Sequence, residues 1–180
     1  MIFADTLFRR IHLWDEDLFL RISKSTINRK TLLLMARLIS RSADGWGYFI
    51  VPMILWLMNM SLSGQLITLL VVALTLERTI YVLAKNSFKR KRPANIVPGY
   101  KSHIMASDEF SFPSGHTSAA YLFITLLVLI YGPAMIVLYF WAFSVACSRV
   151  LLGVHFPTDT LIGATLGSST AMLVFEIAQL

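Results

Sequence analysis

The sequence predicts an all-α integral membrane bundle of about five transmembrane helices, with amphipathic interfacial helices at its N-terminal end. Three observations carry that expectation. Of the 180 residues, 56% are apolar and 14% charged, with a mean hydropathy of +0.67, whereas soluble domains carry about 25% charged residues. Several apolar stretches approach or reach the ~20 residues that cross a bilayer core. Finally, the Lys and Arg residues gather in the segments that fall on one side of those stretches.

Residues 1–42 hold eight of the sixteen Lys and Arg, together with Asp5, Asp15, Glu16 and Asp17, and are not expected to cross. Phe3, Leu7, Ile11, Trp14, Leu18 and Ile22 recur every three or four residues, which puts them on one stripe of a helix lying in the interface. Thr31–Ser40 reads as a second short helix, interfacial or half-inserted. Charges interrupt the early segment, so no cleavable leader is expected.

The spanning core is residues 43–180, and the chain reads as a single domain. Its first span runs from about Gly45 to Met60, interrupted by Pro52, which membrane helices tolerate when neighbours satisfy the freed carbonyl. Gly64–Ala84 is the second. Gly132-Pro133 divides the next apolar run into a hairpin of Thr117–Tyr131 and Ala134–Leu152. Thr160–Leu180 is the fifth span. It contains "GATLG", a small-residue pattern suited to close helix contact within the chain or between copies. Cys147 is the single cysteine, so no internal disulfide forms.

Five spans put residues 1–42, the loop of about 85–112 and the turn at His155 on one side. Three polar clusters lie there. "KNSFKRKRP" sets Lys85 at the end of the second span and Arg92 seven residues on, on nearly the same helical face before Pro93. Alone, it also reads as a basic flank that snorkels to headgroups. "PSGH" (113–116) opens a helix, with Pro113 in the first turn and the N–H groups of Ser114, Gly115 and His116 facing outward. Such a lip either binds an anion or is an ordinary helix start. "SRVLLGVHFPTD" brings Ser148, Arg149, His155 and Asp159 to one turn. A carboxylate accepting from one imidazole nitrogen leaves the other free as base, nucleophile or ligand.

Cations, helix amides and two histidines around one point describe a phosphate site. Two histidines and one carboxylate among so many cations make a poor zinc or magnesium site, so no metal is expected. Glu77 and Arg78, inside the second span, read as an interhelical structural pair.

The set Lys85, Arg92-Pro93, then Pro113-Ser114-Gly115-His116, then Ser148-Arg149, His155 and Asp159 resembles the three-part signature of the type 2 phosphatidic acid phosphatase superfamily. That superfamily includes lipid phosphate phosphatases, glucose-6-phosphatase and vanadium haloperoxidases. The resemblance spans Lys85 to Asp159. It implies that His155 attacks phosphorus to give a phosphohistidine, with Asp159 orienting it. His116 would protonate the leaving lipid oxygen and later activate water. Lys85, Arg92, Arg149, Ser114 and Gly115 would hold the phosphate oxygens, and no cofactor is implied.

Tyr100, Lys101, His103, Asp108 and Glu109, in the loop joining the first two clusters, are candidates for reading the substrate headgroup, against the alternative of a merely solvated loop. The expected partners are a membrane lipid substrate and the bilayer, with no nucleic acid, and either a monomer or a homodimer. Undecaprenyl pyrophosphate leads the expected substrates, followed by phosphatidylglycerophosphate and phosphatidate. Transfer of the phosphoryl group to a second lipid, or headgroup binding without chemistry, are the rival functions. The expected location is the bacterial inner membrane, multi-pass. Twelve non-catalytic Lys and Arg on the site's side put that side in the cytoplasm by the positive-inside rule, whereas the family precedent puts the site in the periplasm.

Overall fold

The computed structural model describes residues 2–26, 30–106 and 108–179, with side chains from 10–25, 30–106 and 108–179. Among the described residues, three helical stretches are long and apolar enough to cross a membrane: α4 (Ser63–Phe88), a 3-10 segment (Pro133–Leu138) running into α7 (Tyr139–Leu151), and α8 (Pro157–Gln179). α3 (Trp46–Leu57) and α6 (Gly115–Tyr131) are shorter, 12 and 17 residues, or about 18 and 26 Å at 1.5 Å per residue. Pro52 sits inside α3, and the hairpin turns at Gly132 between α6 and the 3-10 segment, as the sequence predicts.

α3 is short because it begins at the level of the candidate site. The helix before it, α2 (Lys30–Ser42), packs along α7, where Ser40 Oγ accepts from Arg149 Nη1 (2.6 Å) and Ser42 Oγ from Trp141 Nε1 (2.9 Å). α2 is thus packed on the bundle through Ser40 and Ser42. The chain then breaks at Asp44-Gly45. Gly45 has φ +105°, a conformation that side chains disfavour and glycine adopts freely.

α6 is the central helix, with eleven of its seventeen residues buried. Without a water-driven force between helices in lipid, small residues and interhelical hydrogen bonds hold such contacts. α8 packs on α6 through Gly163 and Gly167, where an added Cβ would lie 2.6 Å from the Ser114 carbonyl oxygen and 2.0 Å from that of Ser118. The GATLG pattern therefore serves contact within the chain. Thr125 Oγ1 bonds Tyr139 OH (2.7 Å) and lies 3.3 Å from Ser168 Oγ, tying α6 to α7 and α8.

α1 (Ile2–Thr26) lies across the site end of the bundle. Asp15, fully buried, accepts from the Thr158 amide (3.0 Å) and Arg90 Nη2 (2.6 Å). Phe19 packs edge-on against Phe156 and Tyr100. Of the predicted apolar stripe, Ile11 and Trp14 are exposed, whereas Leu18 and Ile22 are half-buried and Ile22 packs against the Phe19 and Phe156 cluster, so the stripe is split between the outer face and the bundle. Phe3 and Leu7 lie outside the described side chains.

Candidate active site

The three sequence clusters converge. Arg92 Nη1 donates to the Val154 carbonyl, next to His155, and the Ser114 amide donates to the Asp159 carbonyl (3.0 Å). Lys85, Arg92 and Arg149 are all buried. Burying three cations together is costly unless they meet anions or donate hydrogen bonds.

Lys85 and Arg92 reach this cluster by a different path from the one predicted. α4 ends at Phe88 because Lys89 turns left-handed (φ +46°), and Pro93 begins the short helix α5 (Pro93–Ile96) rather than stopping α4. Arg92 is therefore off the α4 face, yet both cations meet at Asp108. The Asp108 carboxylate accepts from Lys85 Nζ (2.7 Å), Tyr81 OH (2.8 Å) and Arg92 Nη2, and the Asp108 carbonyl accepts from Arg92 Nε (3.0 Å). Burial works against this carboxylate's charge, but the bonds from Lys85, Tyr81 and Arg92 outweigh it and hold its pKa down at about 2.

At the opening of α6 the structure also corrects the expectation. Pro113 precedes the N-cap, after a cis Phe112-Pro113 peptide, and is not in the first turn. Ser114 is the cap residue, with its amide spent on Asp159 and its hydroxyl 3.0 Å from Thr117 Oγ1. Gly115 and His116 supply the first helical amides, which have no acceptor within their own helix.

His155 is buried, and its Nδ1 lies 2.6 Å from the Ser111 carbonyl oxygen. A carbonyl only accepts, so Nδ1 carries the proton and Nε2 keeps its lone pair. Asp159 was the expected acceptor, but its Oδ2 stands 3.8 Å from Nδ1, beyond hydrogen-bond length though within electrostatic reach. The reason is that the Asp159 carboxylate is engaged elsewhere: Oδ2 accepts from the Phe156 amide (2.8 Å) and Oδ1 from Arg90 Nη1 (2.7 Å). Burial, opposed by Asp159 and reinforced by Arg149 and Arg92, lowers the His155 pKa from 6.5 to about 4. The imidazole is neutral at physiological pH. The turn that carries it depends on Gly153, at φ +76°, with Tyr100 packed against the glycine.

His116, one-quarter exposed, meets Asp44 instead: its Nε2 is 2.9 Å from Asp44 Oδ1. A carboxylate can only accept, so Asp44 takes the Nε2 proton as a hydrogen bond and leaves Nδ1 to exchange a proton with a reacting group. His116 and Asp44 border two spaces. One is a groove of about 1150 Å³ between α3, α4 and α6, mainly apolar, with exposed Phe49 and Leu83 in its walls. The other is a polar cavity of about 480 Å³ under α2, which Arg149 also lines.

Of the loop candidates, His103 borders the polar cavity, its amide donating to the Leu152 carbonyl (2.9 Å). Lys101 is exposed, and with Tyr100 it lines a separate surface hollow. Tyr100 otherwise supports Gly153 and Phe19. Glu77 and Arg78 pair with each other within α4 (Nε to Oε2, 2.6 Å) rather than between helices, although Arg78 also reaches the Gly115 carbonyl of α6 (3.3 Å).

Sequence reasoning missed Asp44 and Arg90, and took Asp108 for a possible reader of the substrate headgroup rather than for the shared partner of Lys85 and Arg92. Asp44 carries a turn signal in "ADG", whereas Arg90 in "KRKR" is indistinguishable by type from its neighbours.

Similar proteins share this arrangement of helices. Solved structures of LpxE from Aquifex aeolicus and of a transmembrane PAP2-type phosphatidylglycerolphosphate phosphatase from Bacillus subtilis superpose with TM-scores of 0.75 and 0.71. Their sequence identities are 24% and 23%, and the matches cover 89% and 94% of this chain and 93% and 87% of theirs. In sequence, the chain is 33% identical over 101 residues to decaprenylphosphoryl-5-phosphoribose phosphatase of Mycobacterium tuberculosis, covering 54% of this chain and 53% of that protein. It is 27% identical over 123 residues to the bacitracin transport permease protein BcrC of Bacillus licheniformis, 68% of this chain and 61% of that one. Phosphatidylglycerophosphatase B of Escherichia coli matches at 33% over 89 residues, 46% and 35% of the two chains. The chain thus spans from a third to three-fifths of the length of these curated relatives. The family model for the PAP2 superfamily matches residues 66–180, which takes in all three clusters of the site, and the chain belongs to that superfamily.

Proposed function

We propose that this protein hydrolyses a phosphate ester or pyrophosphate on a membrane lipid through a phosphohistidine at His155. The observation that carries the reading is His155 itself: a buried neutral imidazole, Nδ1 bound to Ser111 and Nε2 without a partner among the described residues, in the field of Arg92 and Arg149. Nε2 attacks phosphorus as the bond to the lipid oxygen breaks, and His116 gives that oxygen its proton. Water, deprotonated by His116, then attacks the phosphohistidine, the P–N bond breaks and phosphate leaves. Lys85, Arg92, Arg149, Ser114 and the Gly115 amide hold the oxygens and stabilise the charge spread over them in the transition state. Asp159 compensates the imidazolium from 3.8 Å. The groove beside His116 takes the lipid chain.

Undecaprenyl pyrophosphate leads the substrates. Two relatives support lipids of this kind, since their names specify a decaprenylphosphoryl sugar phosphate and a phosphatidylglycerophosphate, each a lipid with two phosphoryl groups. The inner membrane is the proposed location. The test is phosphate release by the purified protein, in EDTA, from undecaprenyl pyrophosphate, phosphatidylglycerophosphate and phosphatidate. Wild type releases phosphate and forms an acid-labile phosphoprotein, and His155→Ala does neither. Hydrolysis retained by His155→Ala, or no release from any lipid by wild type, overturns the reading.

A further inference from the structure

We propose that the polar cavity under α2 is a second anion subsite, in which Arg37 and Arg41 hold the phosphoryl group that stays on the leaving lipid. The inference rests on the lipid phosphatase reading above and narrows its substrate class to lipid diphosphates and phosphodiester-bearing lipid phosphates.

The cavity, about 480 Å³, falls within the ~300–1,000 Å³ common for small-ligand sites. Arg37, Arg41 and Arg149 line it with one carboxylate, Asp44, which is already engaged with His116. Each guanidinium has capacity to spare. Arg149 is 4% exposed and spends Nη1 on Ser40, while its Nε has no hydrogen-bond partner among the described residues. Such an orphaned buried donor points to a missing acceptor, which for Arg149 is the transferred phosphoryl group, so Arg149 joins the cavity to the reacting centre while Arg37 and Arg41 are the cations left for a second anion. Among the described residues Arg37, which is exposed, bonds a neutral group, the His103 carbonyl (3.0 Å), and neither it nor the exposed Arg41 makes an ion pair. The burial of His103 and the charge of Arg37 both lower the His103 pKa, so that imidazole favours its neutral form.

Position gives the cavity its side of the reaction. Lys85, Arg92 and His155 border neither the cavity nor the apolar groove, whereas His116 and Asp44 border both. The group that protonates the leaving oxygen therefore faces two spaces, one apolar and one cationic. A lipid that leaves as a simple alcohol fills the groove alone. A lipid that leaves as a monophosphate, or as a phosphodiester, needs the groove for its chain and a cationic space for its remaining phosphoryl group. Guanidinium groups suit that task because they bind phosphate oxygens in pairs.

The test compares farnesyl diphosphate with farnesyl monophosphate, which share one chain, using purified wild type, Arg37→Gln/Arg41→Gln and Arg37→Lys/Arg41→Lys. The Gln pair should raise KM for the diphosphate about tenfold, the order of one lost charge-assisted contact, with kcat within about twofold. Its KM for the monophosphate and its inhibition by inorganic phosphate should stay within about twofold of wild type, and the Lys pair should recover part of the diphosphate affinity. Equal losses on both substrates in both double variants, as for residues that only anchor α2 to lipid headgroups, overturn the subsite. So does an unchanged diphosphate KM. Inorganic phosphate inhibition weakened in step with the diphosphate KM would make the cavity a route for free phosphate and also overturn it. Wild type that hydrolyses neither farnesyl substrate nor any of the three lipids named above defeats the phosphatase reading itself, an outcome distinct from these.

Discussion

Asp108 puts a carboxylate where a phosphate oxygen would meet Lys85 and Arg92. Its pKa of about 2 shows how strongly those donors favour an anion at that point, and any phosphate must displace it or share its partners. Asp108→Asn removes the competing charge. A charged hydrogen bond contributes roughly 1.5–3 kcal/mol, so inorganic vanadate or phosphate should inhibit the variant at about tenfold lower concentration. Unchanged or weaker inhibition would contradict this. His155 makes a second prediction at the same scale. Its pKa is depressed from 6.5 to about 4, so the folded protein binds its proton less readily than the unfolded chain does. The stability that goes with a neutral His155 is fully present above pH 6.5 and is lost as pH falls through about 4. In the substrate-free protein, imidazole ¹⁵N shifts should show His155 neutral at pH 5.5, and a midpoint near 6.5 would refute the assigned burial. The cations and histidines that the structure brings together at the candidate site stood out in the sequence because their chemistry is written in residue type and helix-end position. Asp108 and Arg90 were not, because their roles depend on how the loop folds back: among Lys89, Arg90 and Lys91, only the chain's path sends Arg90 to Asp15 and Asp159.

Among the elements, the pairing of α6 with α8 fixes the site most directly, because Ser114 and Asp159 are joined through backbone at its open end. Gly167 lets the two helices approach until an added Cβ would stand 2.0 Å from the Ser118 carbonyl oxygen. Backbone on both sides leaves nothing flexible to yield. Gly167→Ala should therefore cost about 1–3 kcal/mol, the range for overpacking a filled interface, and lower the melting temperature in detergent by several degrees. Gly64→Ala is the control: no atom lies within 4 Å of its added Cβ, so its melting temperature should stay level or rise slightly. A Gly167→Ala protein as stable as wild type would mean that the close contact does not hold the helices. The small-residue pattern was legible in sequence, but its partner was not. Helix spacing says which residues share a face and nothing about which helix meets that face. The break between α2 and α3 was less legible still, since "ADG" announces a turn without saying that Asp44 will touch a histidine 72 residues away.

For the molecule as a whole, α1 and the His155 turn share one end, since Asp15 binds the Thr158 amide and Phe19 packs on Phe156. Three helical stretches have spanning length, and α3 and α6 supply the remaining passes if the α2–α3 break sits within the membrane and shortens the apolar path left to α3. With α3 and α4 both crossing, two passes separate α1 from the site, so the two should face the same compartment while the α3–α4 turn faces the other. The prediction is tested with single cysteines at Lys24, Lys101 and Ser61, all exposed, in a Cys147→Ala background, using an impermeant thiol reagent on intact cells and on inverted vesicles. Lys24→Cys and Lys101→Cys should label together in one preparation, and Ser61→Cys in the other. Lys24 and Ser61 labelling together would require an even number of crossings between them and would remove α3 from the set of spans. The same labelling assigns the compartment. Reaction of the Lys24 and Lys101 positions in intact cells places the site outside, where substrate arrives from the outer leaflet and the basic residues of α2 face it. Their protection places the site in the cytoplasm, with twelve non-catalytic cations on the side that the positive-inside rule favours.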